Sequence, residues 1–101
     1  MASRLDLQKK LEELLELKHV YYQPSESLKM EYPAIRYSKT DIESRYADNT
    51  KYSNFTRYEI IVIDKMPDNK VIDKILTLPH TSFDRHYVSD NLNHDSIIIY
   101  I

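Results

Sequence analysis

The chain has 101 residues, 42% of them hydrophobic and 30% charged, and a net charge of −2, the composition of one ordinary globular domain over residues 1–101. The absence of cysteine excludes disulfides and thiolate zinc sites, and the absence of glycine excludes phosphate-binding glycine loops, dinucleotide fingerprints and nucleophile elbows. The balanced charge argues against a nucleic-acid-binding protein, because neutralising phosphates needs a basic surface.

The first predicted element is an amphipathic helix from Ser3 to Lys18, with Ser3 as its N-terminal cap. Five leucines form its apolar face at helical spacing: Leu7, Leu11, Leu14, Leu15 and Leu17. Lysine and glutamate residues fill the opposite face. Because that polar face is not predominantly basic, we expect the helix to pack on the protein's own sheet and not on a membrane.

Three extended segments follow, separated by less regular sequence. Val20–Gln23 predicts a short strand and Ala34–Lys39 a second one. Phe55–Asp64 alternates at first and then becomes wholly apolar, which predicts a central strand covered on both faces near its end. Between the last two, Thr40–Asn54 has no clear period and is too long for a hairpin turn, so a long loop is expected.

A second, shorter helix is predicted to open at Met66-Pro67-Asp68, with Asp68 as its cap and Pro79 beyond its end. Its apolar stripe consists of Val71, Ile72, Ile75 and Leu76.

The last predicted elements are strands at Ser82–Val88 and Ser96–Ile101, joined through "SDNLNHD". An exposed strand as apolar as "IIIYI" would recruit other chains, so we expect it to be central, with cover or pairing across a subunit boundary as alternatives. The resulting order, α-β-β-β-α-β-β, predicts an α+β domain with a small antiparallel or mixed sheet and both helices packed on it.

Turns must form without glycine, and Asn and Asp are the next residues able to adopt left-handed backbone conformations. They occur in pairs at three expected breaks: Asp48-Asn49, Asp68-Asn69 and Asp90-Asn91. We interpret these pairs as turn residues and not as acid–base catalysts.

The strongest catalytic and metal patterns remain weak. The four histidines, at positions 19, 80, 86 and 94, lack the helical i, i+4 spacing of zincins, so no metal site is predicted. In "SFDRH", alternation places Ser82, Asp84 and His86 on one strand face, opposite a buried Phe83. Because residues two apart on a strand are about 7 Å from each other, direct contact between Ser82 and His86 is not expected.

The expected long loop is the best candidate for function. It carries Arg45, Tyr46, Asp48, Asn49 and Tyr52, a mixture of aromatic and charged groups typical of protein interfaces. The alternative is a loop folded back over the sheet, with its tyrosines covering the core. Nine tyrosines without a basic groove favour protein partners over single-stranded nucleic acid.

The chain resembles a bacteriophage family over nearly its whole length from Val20 onward. The segments that carry the resemblance are "VYYQPSESLKMEYPAIRYS", "RYADNTKY", "RYEIIVIDKMPDNKVIDKILTLP", "SFDRHYVSDNLNH" and the terminal "IIIYI". As an ordered set they are similar to tail terminator, or tail completion, proteins of long-tailed bacteriophages, which are encoded among the head–tail joining genes.

The resemblance implies a structural role. Such proteins have an α+β fold with a long first helix beside a small sheet, and they assemble as a ring, commonly a hexamer. The ring stops tail-tube polymerisation and joins the tail to the head connector. No catalytic residue and no cofactor come with the family, so the chain is not expected to be an enzyme.

The expected partners are therefore other copies of the chain, the tail tube protein and the head connector or stopper protein, within the virion. No membrane and no specific nucleic-acid partner is expected, since no apolar run approaches the roughly 20 residues of a membrane span. The N-terminal sequence lacks the apolar segment of a signal peptide, which indicates synthesis in the host cytoplasm. The alternatives are another neck or minor capsid component, or a protein-interaction module outside the virion.

Subunit or ring-stacking contacts are predicted for the loop residues named above and for a second segment, Phe83, Asp84 and Arg85. Both segments combine aromatic anchors with charges that can set the register of a contact.

Overall fold

The protein is described by a computed structural model covering residues 4–24, 29–47 and 50–101, with backbone only for residues 43–47 and 50–54. Its elements, in chain order, are α1 (Arg4–Leu15), β1 (Val20–Tyr22), β2 (Ala34–Ala47), β3 (Thr50–Asp64), α2 (Val71–Leu76), β4 (Thr81–Ser89) and β5 (Leu92–Tyr100). This is the predicted order, and the predicted α+β class is confirmed. Within these ranges no helix has the length and apolar character of a membrane span.

The five strands form one mixed sheet in the order β1-β2-β3-β5-β4. β1 runs parallel to β2, and the other neighbours are antiparallel. The apolar β3 occupies the middle of the sheet, as its sequence predicts. β5 lies between β3 and β4, so the prediction that "IIIYI" belongs to a central strand is confirmed.

The core lies between the helices and one face of the sheet, here called the helix face. α1 buries Leu7, Leu11 and Leu15, which have the i, i+4, i+8 spacing of one helix side. The predicted extension of this stripe to Leu17 is wrong, since that side chain is 41% exposed. The helix ends at Leu15, and Glu16 takes a left-handed φ of 63°, so helical spacing no longer applies beyond it. The predicted cap Ser3 lies outside the described residues.

Strand residues supply the other side of this core. Those that pack into it are Val20, Ile35, Tyr37, Tyr58, Ile60, Val62, Ile97 and Ile99. They line up across the sheet: Ile35 pairs with Val62, and Ile60 pairs with both Tyr37 and Ile97. Paired residues on neighbouring strands share a face, so β2, β3 and β5 bury one continuous surface under the helices.

α2 begins later than the sequence predicts, and Asp68 is not its cap. The helix starts at Val71, and Asn69 stabilises its start by accepting a hydrogen bond from the Val71 N–H to Oδ1 at 2.9 Å. The Asn69 side chain also donates to Asp64 Oδ2 at 2.8 Å, which ties the helix to the end of β3. Neither Asp68 nor Asn69 has a positive φ, so the predicted left-handed turn does not form at this pair, and Asn69 acts instead through its side-chain amide.

The predicted long loop at Thr40–Asn54 is wrong. β2 and β3 continue through it as an antiparallel ladder that reaches the pair Ala47 and Thr50. β5 pairs with β3 from Arg57 to Asp64, and Ile101 continues this pairing by exchanging two backbone hydrogen bonds with Thr56. The outer part of the hairpin extends past this point, and we call this two-stranded ribbon, residues 40–47 and 50–55, the arm. The predicted turn pair Asp48-Asn49 lies outside the described residues.

β4 and β5 form a second hairpin with a shorter connection than "SDNLNHD" suggests. Both strands extend into that segment, so that Ser89 pairs with Leu92. The two residues left between them, Asp90 and Asn91, have positive φ values of 52° and 62°. This confirms the interpretation of this Asp-Asn pair as turn residues, and two successive left-handed residues are the signature of a type I′ hairpin turn.

Candidate interaction surface

β4 forms one edge of the sheet, and the helices leave most of it uncovered. It pairs with β5 on one side only among the described strands. Phe83 and Val88 lie on the helix face but are 47% and 64% exposed. The predicted burial of Phe83 is therefore wrong, because the contact of α2 with β4 near Thr81 leaves this side chain uncovered.

A β-bulge interrupts β4 at Asp84, where the register with β5 shifts between Phe83 and Arg85. Because of this extra residue, alternation does not continue along the strand. Asp84 accepts a hydrogen bond from the hydroxyl of Ser96 at 3.1 Å, whereas His86 pairs with Asp95 on the helix face. The prediction that Ser82, Asp84 and His86 share one face is therefore wrong.

The bulge leaves a cation and an aromatic pair on the sheet face away from the helices. The guanidinium carbon of Arg85 lies 4.9 Å from the ring centre of Tyr87. Tyr87 in turn stacks on His94, with ring centres 4.8 Å apart and an angle of 14° between the ring planes. Arg85 Nε lies 3.9 Å from Asp84 Oδ2, a loose contact between largely exposed side chains. Such a cluster of aromatic and charged side chains is suited to contact another protein surface.

On the helix face, the side chains of His86 and Asp95 are within hydrogen-bond distance of each other. His86 Nδ1 lies 2.7 Å from Asp95 Oδ1, and the Asp95 carboxylate is buried. The pair links the exposed edge strand to the covered strand beside it. It orients His86 along the edge next to Phe83 and Val88, so the rim of the sheet combines apolar and polar groups.

The arm carries the other predicted contact residues. Arg45 and Tyr46 lie in β2 and Tyr52 in β3, whereas Asp48 and Asn49 lie outside the described residues. The register of the β2–β3 ladder shifts between Lys39 and Asp41, at the base of the arm, and again between Arg45 and Tyr46, near its outer end. The structure thus divides the predicted contact residues between two separate regions, the arm and the β4 edge.

The histidines are spread over different parts of the fold. His19 Nε2 lies 2.9 Å from the carboxylate of Glu31, and its Nδ1 lies 3.1 Å from the Pro33 carbonyl oxygen. His80 has a left-handed φ of 62° just before β4. In the described ranges no three His, Asp or Glu side chains come together as metal ligands.

The structure also contains a buried tyrosine cluster that the sequence did not indicate. Tyr22, Tyr37 and Tyr58 meet beside α1, with ring centres 4.9 to 6.5 Å apart. The Tyr37 hydroxyl donates to Gln8 Oε1, and Arg4 donates to the same hydroxyl at 3.3 Å while lying 4.3 Å from the Tyr22 ring centre.

Burial raises the pKa of Tyr37 and of Tyr58 above the ordinary value of 10.0. At Tyr37 the hydrogen bond and positive charge of Arg4 oppose this effect, and at Tyr58 the neighbouring Tyr22 adds to it. A neutral hydroxyl is what both positions require, since a phenolate there would lose its hydration. The cluster therefore joins α1 to the sheet.

Two features of the surface were missed by the sequence reasoning. The arm had a usable signal, because two β-prone runs are separated by the pair Asp48-Asn49, a spacing typical of a tight hairpin. The exposed edge at β4 had no such signal in the sequence, since "SFDRHYV" alternates as a half-buried strand would. The exposure of this edge depends on where the helices pack.

A scan against protein-family models found no match for the chain, and a search of curated proteins found no relative.

Proposed function

We propose that the protein is a structural component of the head–tail junction of a long-tailed bacteriophage or prophage. It forms a homo-oligomeric ring, a hexamer by analogy with the proteins it resembles, that ends the tail tube and joins it to the head connector. The ring needs no cofactor and no reacting group, because its work is to present surfaces of fixed shape.

The arm is the observation that carries this proposal. It continues β2 and β3 beyond the last backbone hydrogen bonds with a third strand, between Thr56 and Ile101. A two-stranded hairpin is marginal in water unless a further strand or surface supports it. The chain stretches to 50 Å along its longest axis but only 29 and 24 Å along the others. Such an extension is expected of a subunit that reaches a neighbour.

The exposed β4 edge is the second support. A ring requires two different surfaces on each subunit that fit each other, because a head-to-tail contact closes only after a fixed rotation. The arm and β4 are two such surfaces on one chain. The charged and aromatic groups at Arg85 and Tyr87 then lie where a neighbouring copy, the tail tube or the connector can contact them.

In this proposal the ring has two working faces. One face binds the last layer of the tail tube and prevents the addition of further tail tube subunits. The other accepts the connector of the filled head.

Electron microscopy of particles made without the protein tests the proposal. In a phage or prophage carrying this gene, deletion is expected to produce overlong tails that are not joined to heads. Tails of normal length detached from heads would instead indicate the alternative neck role, in which the protein joins without terminating. Intact, infectious particles after deletion would exclude both roles.

Complementation sharpens the test. Wild-type protein supplied from a plasmid is expected to restore tail length and joining. Phe83→Ser, at the exposed β4 edge, is expected to restore them poorly. Met66→Ser is the matched control, because Met66 is also exposed but lies in the connection after β3. Equal rescue by both variants would argue against the β4 edge as a working surface.

A further inference from the structure

We propose that the arm of one copy adds to the free edge of β4 in the next copy, so that each sheet is extended by strands from its neighbour. The inference rests on the proposed ring and names the contact that closes it. The partner is a second copy of this chain, and the site is incomplete without the strands that this copy contributes.

The donor is the outer edge of β2. β1 pairs with β2 only from Ile35 to Tyr37. From Thr40 to Ala47, no strand in the described part of the chain pairs with the outer side of β2. At roughly 3.3 Å per residue this edge is about 26 Å long. The Ile42 N–H already donates to Asp41 Oδ1 at 2.8 Å. The other backbone groups on this edge can pair with a further strand, which the two-stranded arm needs for stability.

The acceptor is the outer edge of β4. The strand runs from Thr81 to Ser89, about 30 Å by the same rise per residue. Its inner side pairs with β5, and its outer side faces no strand within the described ranges. The two free edges are therefore close to equal in length, and both are available on every copy.

The opposite edge of the sheet is a poorer acceptor. β1 contains three residues, Val20–Tyr22, and offers about 10 Å of edge.

Pairing of two β4 edges about a two-fold axis is also less suitable than addition of the arm to β4. It would give a closed dimer and leave both arms without a third strand. Addition of the arm to β4 gives both free edges a hydrogen-bonding partner, and the same contact can repeat around a ring.

Side chains at the two edges suit this pairing. Ile42 in the arm is 53% exposed, and Phe83 and Val88 at β4 are similarly uncovered. Bringing these apolar groups together removes them from water. Asp84 and Arg85 lie at the acceptor and Lys39 and Asp41 lie at the base of the donor, so each edge carries both signs of charge. Opposite charges across a strand pair help to set its register.

Cysteine cross-linking tests the contact directly, because the chain has no cysteine of its own. One preparation carries Ile42→Cys, and the second carries Phe83→Cys or Val88→Cys. The two are mixed, assembled with tail tube and treated with a short bismaleimide. A covalent dimer that contains one chain of each kind is expected. The control replaces the acceptor with Met66→Cys, which is 67% exposed, and this mixture is expected to lose the dimer band.

The other outcomes overturn the inference in distinguishable ways. Cross-links only between two copies of Val88→Cys would show that β4 edges pair with each other. Rings that assemble without a link from Ile42→Cys to either β4 position would exclude this contact and leave the proposed ring in place. Protein that stays at 12.1 kDa in light scattering, with tail tube present and circular dichroism matching the wild type, would exclude both the contact and the ring.

Discussion

At the scale of single residues, the tyrosines divide into distinct roles that their number alone does not reveal. Tyr37 and Tyr58 are buried and connect the sheet with α1, the former through hydrogen bonds with Gln8 and Arg4. Tyr87 lies at the sheet edge, stacked on His94. A buried tyrosine must keep its proton, whereas an edge tyrosine can use its hydroxyl and ring in a contact. The same residue type thus serves the core in one place and the surface in another.

Tyr58→Phe is expected to reduce the loss of folding stability at high pH. Because the folded pKa of Tyr58 is raised above the ordinary 10.0, its contribution is fully present below about pH 10 and is lost as the pH rises through the folded pKa. Phenylalanine cannot ionise, so the free energy of unfolding should fall less steeply above that pH. Urea unfolding at neutral pH and at several alkaline values measures this difference.

Tyr37→Phe provides the comparison for that experiment. It also removes an ionisable group with a raised pKa, but it breaks the hydrogen bonds with Gln8 and Arg4 as well. We therefore expect a loss of about 1 kcal/mol already at neutral pH. An unchanged alkaline slope in Tyr58→Phe would mean that ionisation of this hydroxyl does not contribute to alkaline unfolding.

At the scale of elements, the β4–β5 hairpin shows how the chain turns without glycine. The β4–β5 hairpin reverses at Asp90 and Asn91, both left-handed. A left-handed conformation costs most L-amino acids roughly 1–2 kcal/mol, and Asn and Asp less, because their side chains bond locally. The β4–β5 register, and with it the position of the exposed edge, follows from this two-residue turn.

Replacing Asn91 tests the turn. Asn91→Val is expected to destabilise the protein by roughly 1–2 kcal/mol, because a β-branched residue strongly resists positive φ. Asn91→Gly is expected to be at least as stable as the wild type, since Asp-Gly is a favoured pair for type I′ turns. Denaturant unfolding measures both, with Ser89→Val in the adjoining strand as the control. A valine variant as stable as the wild type would show that this backbone conformation is not required.

At the scale of the whole molecule, the two helices pack on one face of the sheet and leave most of edge strand β4 uncovered. Central β3 and β5 are well buried on the helix face, while Ile42 in the arm and Phe83 and Val88 in β4 are exposed. The exposed parts are the ones that combine free backbone edges with apolar and charged side chains. This distribution is why we assign assembly to them and stability to the middle of the sheet.

Tyr46→Ala is expected to weaken assembly while the monomer remains folded, because Tyr46 lies in the arm and outside the part of β2 that pairs with β1. Light scattering and electron microscopy with tail tube report assembly, and circular dichroism with thermal unfolding reports the fold. Met66→Ala is the matched control. Unfolding of the Tyr46→Ala monomer would instead mean that this residue belongs to the core, the alternative considered from the sequence.

Local pattern was enough to predict most of the fold. The leucine spacing of α1, the apolar run of β3 and the Asp90-Asn91 pair each depend on near neighbours in the chain, so the element order and the α+β class could be derived from them. The Asp84 bulge, the start of α2 at Val71, the exposure of Phe83 and the extension of the arm could not. Each depends on which strand or helix lies beside the residue, and contacts between distant parts of the chain decide that. The candidate surface, at β4 and the arm, consists of residues that this packing leaves uncovered.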